Sequence, residues 1–484
     1  MKKYYQSRVW FTRLAESYIQ MKYLSQKAGA RFLSDDEIKL IFSSWNKGLI
    51  INGKNLRMSE KDSFANLAVF AKSGVGKTSS ISFPNIIDLA ERDCSLALND
   101  PKGELYDALS GYLKYKGFHV IKYDIMEVTN HDSHFFNPFA FVQDDVELDF
   151  ICDLIINVGN PSEGKSQIFN NGAIKLIRIL AKCLSYGDPK KYNLPELYSK
   201  LREFGSMGEG LKKWIYENSQ NPQTGDRETY HEWVSFLTGN EEGVMSFVLT
   251  AQTSLRQLAN DNFRSFYSDN SFDLNSFRKQ KTAVFYVTPP DKQQYFSFST
   301  SIFFRTLFSI SMRKQYLDEN KFIRPFYCIY DEFGNSYVPS FQDIITTSRA
   351  YKISCTIILQ SITQLESKYG KVDAKTIIDG GFSTYMTLHS GNHETNKFFE
   401  ELGGKVVETK RRDVYDHRSE RVEYNLVNQD EIRRMADDQA LIVYKNKQAM
   451  QIRLLPHYKN KKFRVAKEFG RLRVKLPPRH YLGV

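Results

Sequence analysis

The chain has 484 residues, 41% of them apolar and 14% aromatic, which excludes a disordered protein and leaves room for two or three domains. Its five cysteines are scattered and odd in number, which excludes a disulfide framework and predicts reduced, buried thiols in a cytosolic protein. No run of about 20 apolar residues and no apolar signal-peptide region occurs, so we expect neither a membrane span nor a secretion signal.

The net charge of +11 is concentrated at the two ends of the chain. Residues 1–32 contain seven Lys or Arg against one Glu, and residues 457–484 contain nine against one. We therefore expect a polyanion or an acidic partner at the termini. In the first segment, an amphipathic helix is predicted by the spacing of Trp10, Leu14, Tyr18 and Met21. This helix either lies on a membrane surface or a partner, or packs on its own domain.

A glycine-rich loop follows an apolar run early in the chain. Residues 67–70 predict a buried strand, and residues 71–78 have the Walker A form with alanine in place of the first glycine. Lys77 would contact the β and γ phosphates of ATP, and the Thr78 hydroxyl would complete the shell of a bound Mg²⁺. The predicted nucleotide-binding residues are Ser73, Gly74, Val75, Gly76, Lys77, Thr78 and Ser79.

A second nucleotide signature ends the apolar run at residues 326–330, where Asp331 and Glu332 follow directly. Asp331 is the candidate to hold the water shell of the metal, and Glu332 is the candidate general base for an attacking water. The next predicted strand ends at Gln360, which either senses the γ phosphate or orients the attacking water, or is simply an amide at the sheet edge. Between these strands, Arg349 is either a finger for the phosphates of a neighbouring subunit or a charge on a surface helix.

Two further pairs of polar residues are candidates for the nucleotide site or for a metal site. Asp100 and Glu104 follow the strand at residues 95–99, so they either line the mouth of the nucleotide site or belong to a solvated turn. His389 and His393 are four residues apart, but Ser-Gly-Asn between them favours a loop, which argues against a metal site there.

The alternation of predicted strands and helices indicates an α/β fold with a mostly parallel sheet and right-handed crossovers. Helical periodicity without strands marks residues 160–265 as an all-α insertion. The predicted organisation is a basic N-terminal segment (1–32), a nucleotide-binding domain in two parts (33–159 and 266–456), the inserted all-α domain (160–265) and a basic C-terminal tail (457–484).

Several stretches together resemble the coupling proteins of type IV secretion and conjugation systems, the TraG/TraD-like ATPases. Besides the P-loop, the resemblance lies in Asn99-Asp-Pro-Lys-Gly-Glu104, Asp331-Glu-Phe-Gly334, Gln360-Ser-Ile-Thr-Gln-Leu-Glu-Ser-Lys-Tyr-Gly370 and Asn428-Gln-Asp-Glu-Ile-Arg-Arg434. It covers most of the chain. The family usually begins with a transmembrane anchor, so we expect a separate membrane protein, or the basic N-terminal segment, to take that role here.

The resemblance implies a RecA-like motor domain, interrupted by an all-α domain that selects substrate, which assembles as a hexamer. It implies that Lys77, Thr78, Asp331, Glu332 and Gln360 carry the ATP chemistry with Mg²⁺, and that Arg349 acts in trans. The expected function is an ATPase at the cytoplasmic face of the cell membrane that brings relaxase-bound single-stranded DNA to the membrane-embedded transfer channel. A docking adaptor that uses ATP only as a conformational switch and a chromosomal DNA translocase are the alternatives.

Overall fold

The structure is a computed structural model and describes residues 29–161, 167–220, 225–318, 322–411 and 419–474. The first seven strands of its main sheet are β1 (Leu67–Ala71), β2 (Ser95–Asn99), β3 (His119–Asp124), β4 (Thr282–Val287), β5 (Phe326–Tyr330), β6 (Ile353–Leu359) and β7 (Thr384–His389). A separate hairpin of β8 (Lys405–Arg411) and β9 (Ser419–Asn425) follows. The last two strands, β10 (Gln439–Tyr444) and β11 (Met450–Arg453), return to the main sheet. The predicted basic helix of residues 1–32 falls almost entirely outside the described residues.

The helices before β4 are α1 (Asp35–Ile41), α2 (Glu60–Ser63), α3 (Phe83–Leu89), α4 (Glu104–Tyr115), α5 (Asp145–Gly159), α6 (Gln167–Ser185), α7 (Leu194–Arg202), α8 (Glu209–Ser219), α9 (Arg227–Phe236), α10 (Glu241–Ser254) and α11 (Asp261–Tyr267). After β4 come α12 (Gln293–Ser311), α13 (Phe341–Thr347), α14 (Ile362–Gly381), α15 (His393–Gly403), α16 (Gln429–Arg433) and α17 (Lys461–Ala466). Among the described residues, all the regular elements between β3 and β4 are therefore helices.

The nine-stranded sheet has the order β11-β10-β7-β1-β6-β5-β2-β4-β3. Every pairing from β7 to β3 is parallel, and β10 and β11 add an antiparallel edge. The P-loop strand β1 and the Asp-Glu strand β5 are separated by β6 alone. Because the carboxyl ends of parallel strands meet at one edge of a sheet, this order brings both nucleotide motifs to the same edge.

Both faces of the sheet are covered, since alternate residues of a strand point to opposite faces. Ala68 and Phe70 of β1 pack into the core that includes the helices between β3 and β4. Leu67 and Val69 pack into the opposite core, with α1, α3 and α4. Strands that are buried on both faces read as continuous apolar runs, which is why the sequence pattern predicts them well.

Helix α5 packs against α12, which follows β4 of the sheet. The Arg313 guanidinium donates to Glu147 of α5 at 3.0 Å, and the guanidinium of Arg305 lies 4.5 Å from the ring centroid of Phe150. The helical region therefore begins at Asp145 and shares a core with the sheet, whereas the sequence pattern placed its start at residue 160. The division into domains remains a prediction.

Candidate nucleotide site

The P-loop curls between β1 and a π-helical turn, Thr78–Ser82, that continues into α3. Gly74 and Gly76 have φ angles of 87° and 79°, in the left-handed region where other residues are strained. A Cβ at Gly74 would meet no atom within 4 Å, so the backbone conformation rather than space requires glycine there. The loop opens directly onto a helix start, the usual setting for a phosphate.

The two motifs meet at the sheet edge. The Thr78 hydroxyl donates a hydrogen bond to Oδ2 of Asp331 at 2.9 Å, across 253 residues of sequence. Asp331 is 6% exposed, and burial raises the pKa of its carboxyl, against the lowering effects of the Thr78 hydrogen bond and the Lys77 charge. A buried carboxylate beside a hydroxyl is a hard oxygen pair of the kind that suits Mg²⁺.

Lys77 is the buried cation of this site, with 8% of its surface exposed. Burial lowers the pKa of its ammonium, while the charges of Asp331 and Glu332 raise it and that of Lys102 lowers it. A desolvated ammonium near two carboxylates is placed to bind a more highly charged anion, such as a polyphosphate.

Glu332 is held in an unusual position. Its backbone is left-handed, with φ 56° and ψ 42°, a conformation that is strained for a residue with a side chain. Its Oε2 accepts hydrogen bonds from Nε2 of Gln293 at 3.1 Å and from Nδ2 of Asn335 at 3.4 Å. Gln293 begins α12 just after β4 and was not among the predicted site residues. The signal that could have indicated it is a polar residue shortly after a parallel strand.

The loop after β2 contributes acidic groups to the same pocket, which has a volume of about 380 Å³. Asp100 and Glu104 both line it, together with P-loop residues and the Asp331–Glu332 pair. Burial raises the pKa of Asp100 to about 7, and the backbone N–H of Tyr106, which donates to its Oδ2 at 2.8 Å, opposes that rise. The charges of Glu104 and Asp331 raise this pKa further.

This raised pKa predicts a pH dependence of stability. The folded protein holds the Asp100 proton more tightly than the unfolded chain, so the stability that this group contributes is complete below its ordinary pKa of 3.8 and falls as the pH rises to about 7. Between about pH 5 and pH 8, we expect the free energy of unfolding of the wild type to fall by about 3 kcal/mol more than that of Asp100→Asn.

Urea denaturation at the two pH values measures this difference. Asp36→Asn is the matched control, because Asp36 is an exposed carboxylate on α1 and should leave the wild-type pH dependence unchanged. Parallel pH profiles of Asp100→Asn and the wild type would contradict the assignment of this titration to Asp100.

Three of the predicted site residues do not line the pocket. Gln360 directly follows β6, the strand between the two motif strands, and its backbone N–H donates to Oε1 of Gln364 at 3.0 Å. Arg349 lies on the turn Ser348–Tyr351 with its side chain exposed. Of the predicted P-loop set, Val75 also does not line the pocket, whereas Ser73, Gly74, Gly76, Lys77, Thr78 and Ser79 do.

The turn that carries Arg349 is firmly anchored. Buried Asn66, just before β1, donates from Nδ2 to Oγ of Ser348 at 3.2 Å and to the carbonyl of Ile345 at the same distance. On the other side, the buried guanidinium of Arg278 donates to the Tyr351 carbonyl at 2.7 Å. The Arg349 side chain makes no hydrogen bond or ion pair with the residues that the structure describes, whereas its backbone carbonyl accepts a hydrogen bond from the N–H of Lys352 at 3.2 Å.

The pocket also has a wall that the sequence did not predict. His457, Tyr458 and Lys467 line it, and all three belong to the segment interpreted above as a basic tail. The described part of that segment, residues 457–474, folds against α3 and α4 rather than extending as a free tail. No motif marks these residues, because the contact depends on where the chain travels after β11.

The structure also shows the surroundings of the cysteines and of the two histidines. All five cysteines are buried and free. His389 ends β7 with Nδ1 3.2 Å from the carbonyl oxygen of Met435, and His393 opens α15 with its side chain exposed. Within the described ranges, no helix is both long and apolar enough to cross a bilayer.

The sheet order and the meeting of a Walker A loop with an Asp-Glu strand define a P-loop NTPase fold of the RecA-like class. The sequence profile of the family described as type IV secretory system conjugative DNA transfer matches residues 25–473. The chain therefore belongs to the type IV secretory system conjugative DNA transfer family. The resemblance to coupling proteins is thereby confirmed.

Solved structures of the coupling protein TrwB have the same fold. The unbound bacterial conjugative coupling protein TrwBΔN70 matches with a TM-score of 0.68 and 17% identity, over 88% of this chain and 93% of that chain. TrwB in complex with ADP and Mg²⁺ matches with a TM-score of 0.66 and 16% identity, over 88% and 94%. This likeness confirms the predicted α/β, RecA-like sheet. No curated protein matches the chain.

Proposed function

We propose that this chain is the ATP-hydrolysing coupling protein of a conjugative type IV secretion system. It recruits relaxase-bound single-stranded DNA and delivers it to the transfer channel. The observation that carries the proposal is the convergence of Lys77, Thr78, Asp331 and Glu332 in one pocket, with Thr78 and Asp331 in a 2.9 Å hydrogen bond. Family membership supplies the conjugative context, and the TrwB complexes with ADP and Mg²⁺ and with a non-hydrolysable ATP analogue support ATP and Mg²⁺ as the ligands.

The predicted site residues have distinct roles in this proposal. The P-loop N–H groups and Lys77 bind the β and γ phosphates, and Thr78 and Asp331 hold Mg²⁺. The metal, when bound, neutralises charge on the phosphate oxygens. Glu332 takes a proton from the attacking water, and the hydrogen bond from Gln293 orients its carboxylate. Gln360, at the end of the strand between the two motifs, senses the γ phosphate once a neighbouring subunit closes the site.

The active assembly in this proposal is a homo-hexamer. Arg349 is exposed on an anchored turn and does not line the pocket of its own subunit, which fits a finger that acts on the phosphates of a neighbour. Recruitment to the cytoplasmic face of the membrane is assigned to the basic residues 1–32 or to a separate membrane protein. Flotation of a chain that lacks residues 1–32 with anionic liposomes tests this assignment.

The non-motor adaptor is the second candidate, and the rate of ATP hydrolysis with and without single-stranded DNA separates the two. A motor hydrolyses ATP faster when DNA is bound, whereas an adaptor binds ATP and DNA without turnover. Glu332 favours the motor, because an adaptor does not require a carboxylate poised as a general base. A chromosomal translocase is disfavoured by the family to which the chain belongs.

A further inference from the structure

The nucleotide pocket has two chemically different ends. At one end, Lys77 and Thr78 face the carboxylates of Asp331 and Glu332. The other end lies beside Ser79 and Phe83, further along the helical turn, and there the wall is aromatic. A nucleotide whose phosphates occupied the P-loop would extend its base away from the carboxylates, because its phosphate oxygens and the metal would occupy that end.

Three aromatic rings pack against one another at this second end. We call them the aromatic ladder, and they belong to Phe83, His457 and Tyr458. The His457 ring stacks on Phe83 with centroids 4.2 Å apart and an interplanar angle of 24°. The Tyr458 ring meets His457 edge-on at 5.6 Å. The buried rings thus support Tyr458, which is 54% exposed at the pocket and offers an aromatic surface to a ligand.

His457 is fixed as a neutral ring that joins the ladder to the P-loop helix. Its Nδ1 lies 3.2 Å from the backbone carbonyl of Ser79, so this nitrogen donates the hydrogen bond. Burial, and then the charge of Lys467, lower the pKa of the imidazole. Its Nε2 is buried and has no partner among the described residues. Lys467 completes this end, with its ammonium 4.6 Å from the centroid of the Phe83 ring.

The segment that carries the ladder is held at both of its ends. Before it, the N–H of Leu455 donates to the carbonyl of Asn52 at 2.9 Å. Beyond it, the N–H of Gly111 in α4 donates to the Gly470 carbonyl at 3.1 Å, and a Cβ on Gly111 would lie 2.5 Å from that same oxygen. The Tyr106 hydroxyl donates to the Leu472 carbonyl at 3.0 Å. The wall is therefore preorganised.

We propose that the C-terminal segment after β11 forms the base-binding subsite of the nucleotide pocket, and that the exposed ring of Tyr458 stacks on the purine. The proposal rests on the proposed function, since it assumes a nucleotide on the P-loop. It assigns to residues 457–467 a role in recognising the nucleoside, in place of the free basic tail that the charge pattern suggested. The base contact comes from the same chain as the P-loop.

Calorimetric titration with two ligands, ADP and inorganic tripolyphosphate, each with Mg²⁺, tests this subsite. Tyr458→Ala should weaken ADP binding about tenfold, within the range for loss of an aromatic stack on a base, and leave tripolyphosphate binding unchanged. Tyr458→Phe should bind ADP as the wild type does. Tyr216→Ala is the matched control, because Tyr216 is 53% exposed on α8, away from the pocket.

The proposal is overturned if Tyr458→Ala binds ADP as tightly as the wild type, or if it loses ADP and tripolyphosphate to the same degree. The second result would mean that Tyr458 acts on the P-loop or on a neighbouring subunit rather than on the base. Lys77→Ala separates this proposal from the proposed function, because it should weaken both ligands. A wild-type protein that binds neither ligand would contradict the proposed function, and the base subsite with it.

Discussion

Glu332→Gln is expected to bind ATP with nearly wild-type affinity and to hydrolyse it at least about a hundredfold more slowly, the scale of a lost general base. Glutamine keeps the size of the side chain and can still accept the hydrogen bond from Gln293, so the pocket should retain its shape. Only the capacity to take a proton from water is removed. The measurement is steady-state ATP hydrolysis together with equilibrium binding of ATP under non-hydrolysing conditions.

The matched control is Glu394→Gln. Glu394 is an exposed glutamate in the first turn of α15 and does not line the pocket, so its replacement should leave both binding and turnover unchanged. Turnover by Glu332→Gln at the wild-type rate would show that Glu332 is not the base. Equal losses of binding and turnover would instead indicate that Glu332 positions the nucleotide, since a residue used only in the transition state lowers the rate without lowering affinity.

Arg349→Ala should lower ATP hydrolysis by the assembled protein about a thousandfold, at the lower end of the range for an arginine finger. The subunit should still bind ATP, because Arg349 does not line its own pocket. The fold should be unaffected, since the exposed guanidinium has no partner among the described residues and Asn66 and Arg278 hold the turn independently. Arg433→Ala, which removes an exposed guanidinium from α16, is the control.

Mixing two inactive variants tests whether Arg349 acts in trans. In a ring with head-to-tail interfaces, an equal mixture of Arg349→Ala and Glu332→Gln subunits places an intact base opposite an intact finger at about one interface in four. Hydrolysis should therefore recover to about a quarter of the wild-type rate if sites act independently. If mixtures that demonstrably co-assemble show no recovery of hydrolysis, Arg349 either lies outside the site or acts within its own subunit.

The fold was the most predictable part of this protein, for a physical reason. Strands buried on both faces, such as β5, must be apolar throughout, and the polar residues that close them stand out at their carboxyl ends. Parallel pairing then forces such ends to one edge of the sheet. The meeting of Thr78 with Asp331 follows from these two local patterns together with the position of β6 between them.

Other parts of the pocket depend on long-range packing that no local pattern encodes. Gln293 reaches Glu332 because α12 begins at the sheet edge, and the Gln-Gln pair there resembles any polar helix start. His457 and Tyr458 reach the pocket because the chain crosses back after an antiparallel edge strand, β11. Their charge pattern predicted a tail, since clustered Lys and Arg do not reveal whether the intervening aromatic residues are buried.

The most direct test of the central claim is ATP hydrolysis with and without single-stranded DNA, measured for the wild type and for Lys77→Ala. We expect the wild-type rate to rise when DNA is added, and Lys77→Ala to stay at background in both conditions, because the buried ammonium that binds the phosphates is gone. Lys54→Ala, which removes an exposed lysine, should behave as the wild type. A wild-type protein that binds ATP and DNA but never hydrolyses ATP, or a Lys77→Ala variant that hydrolyses it as fast as the wild type, would contradict the assignment of this pocket as a DNA-coupled ATPase site.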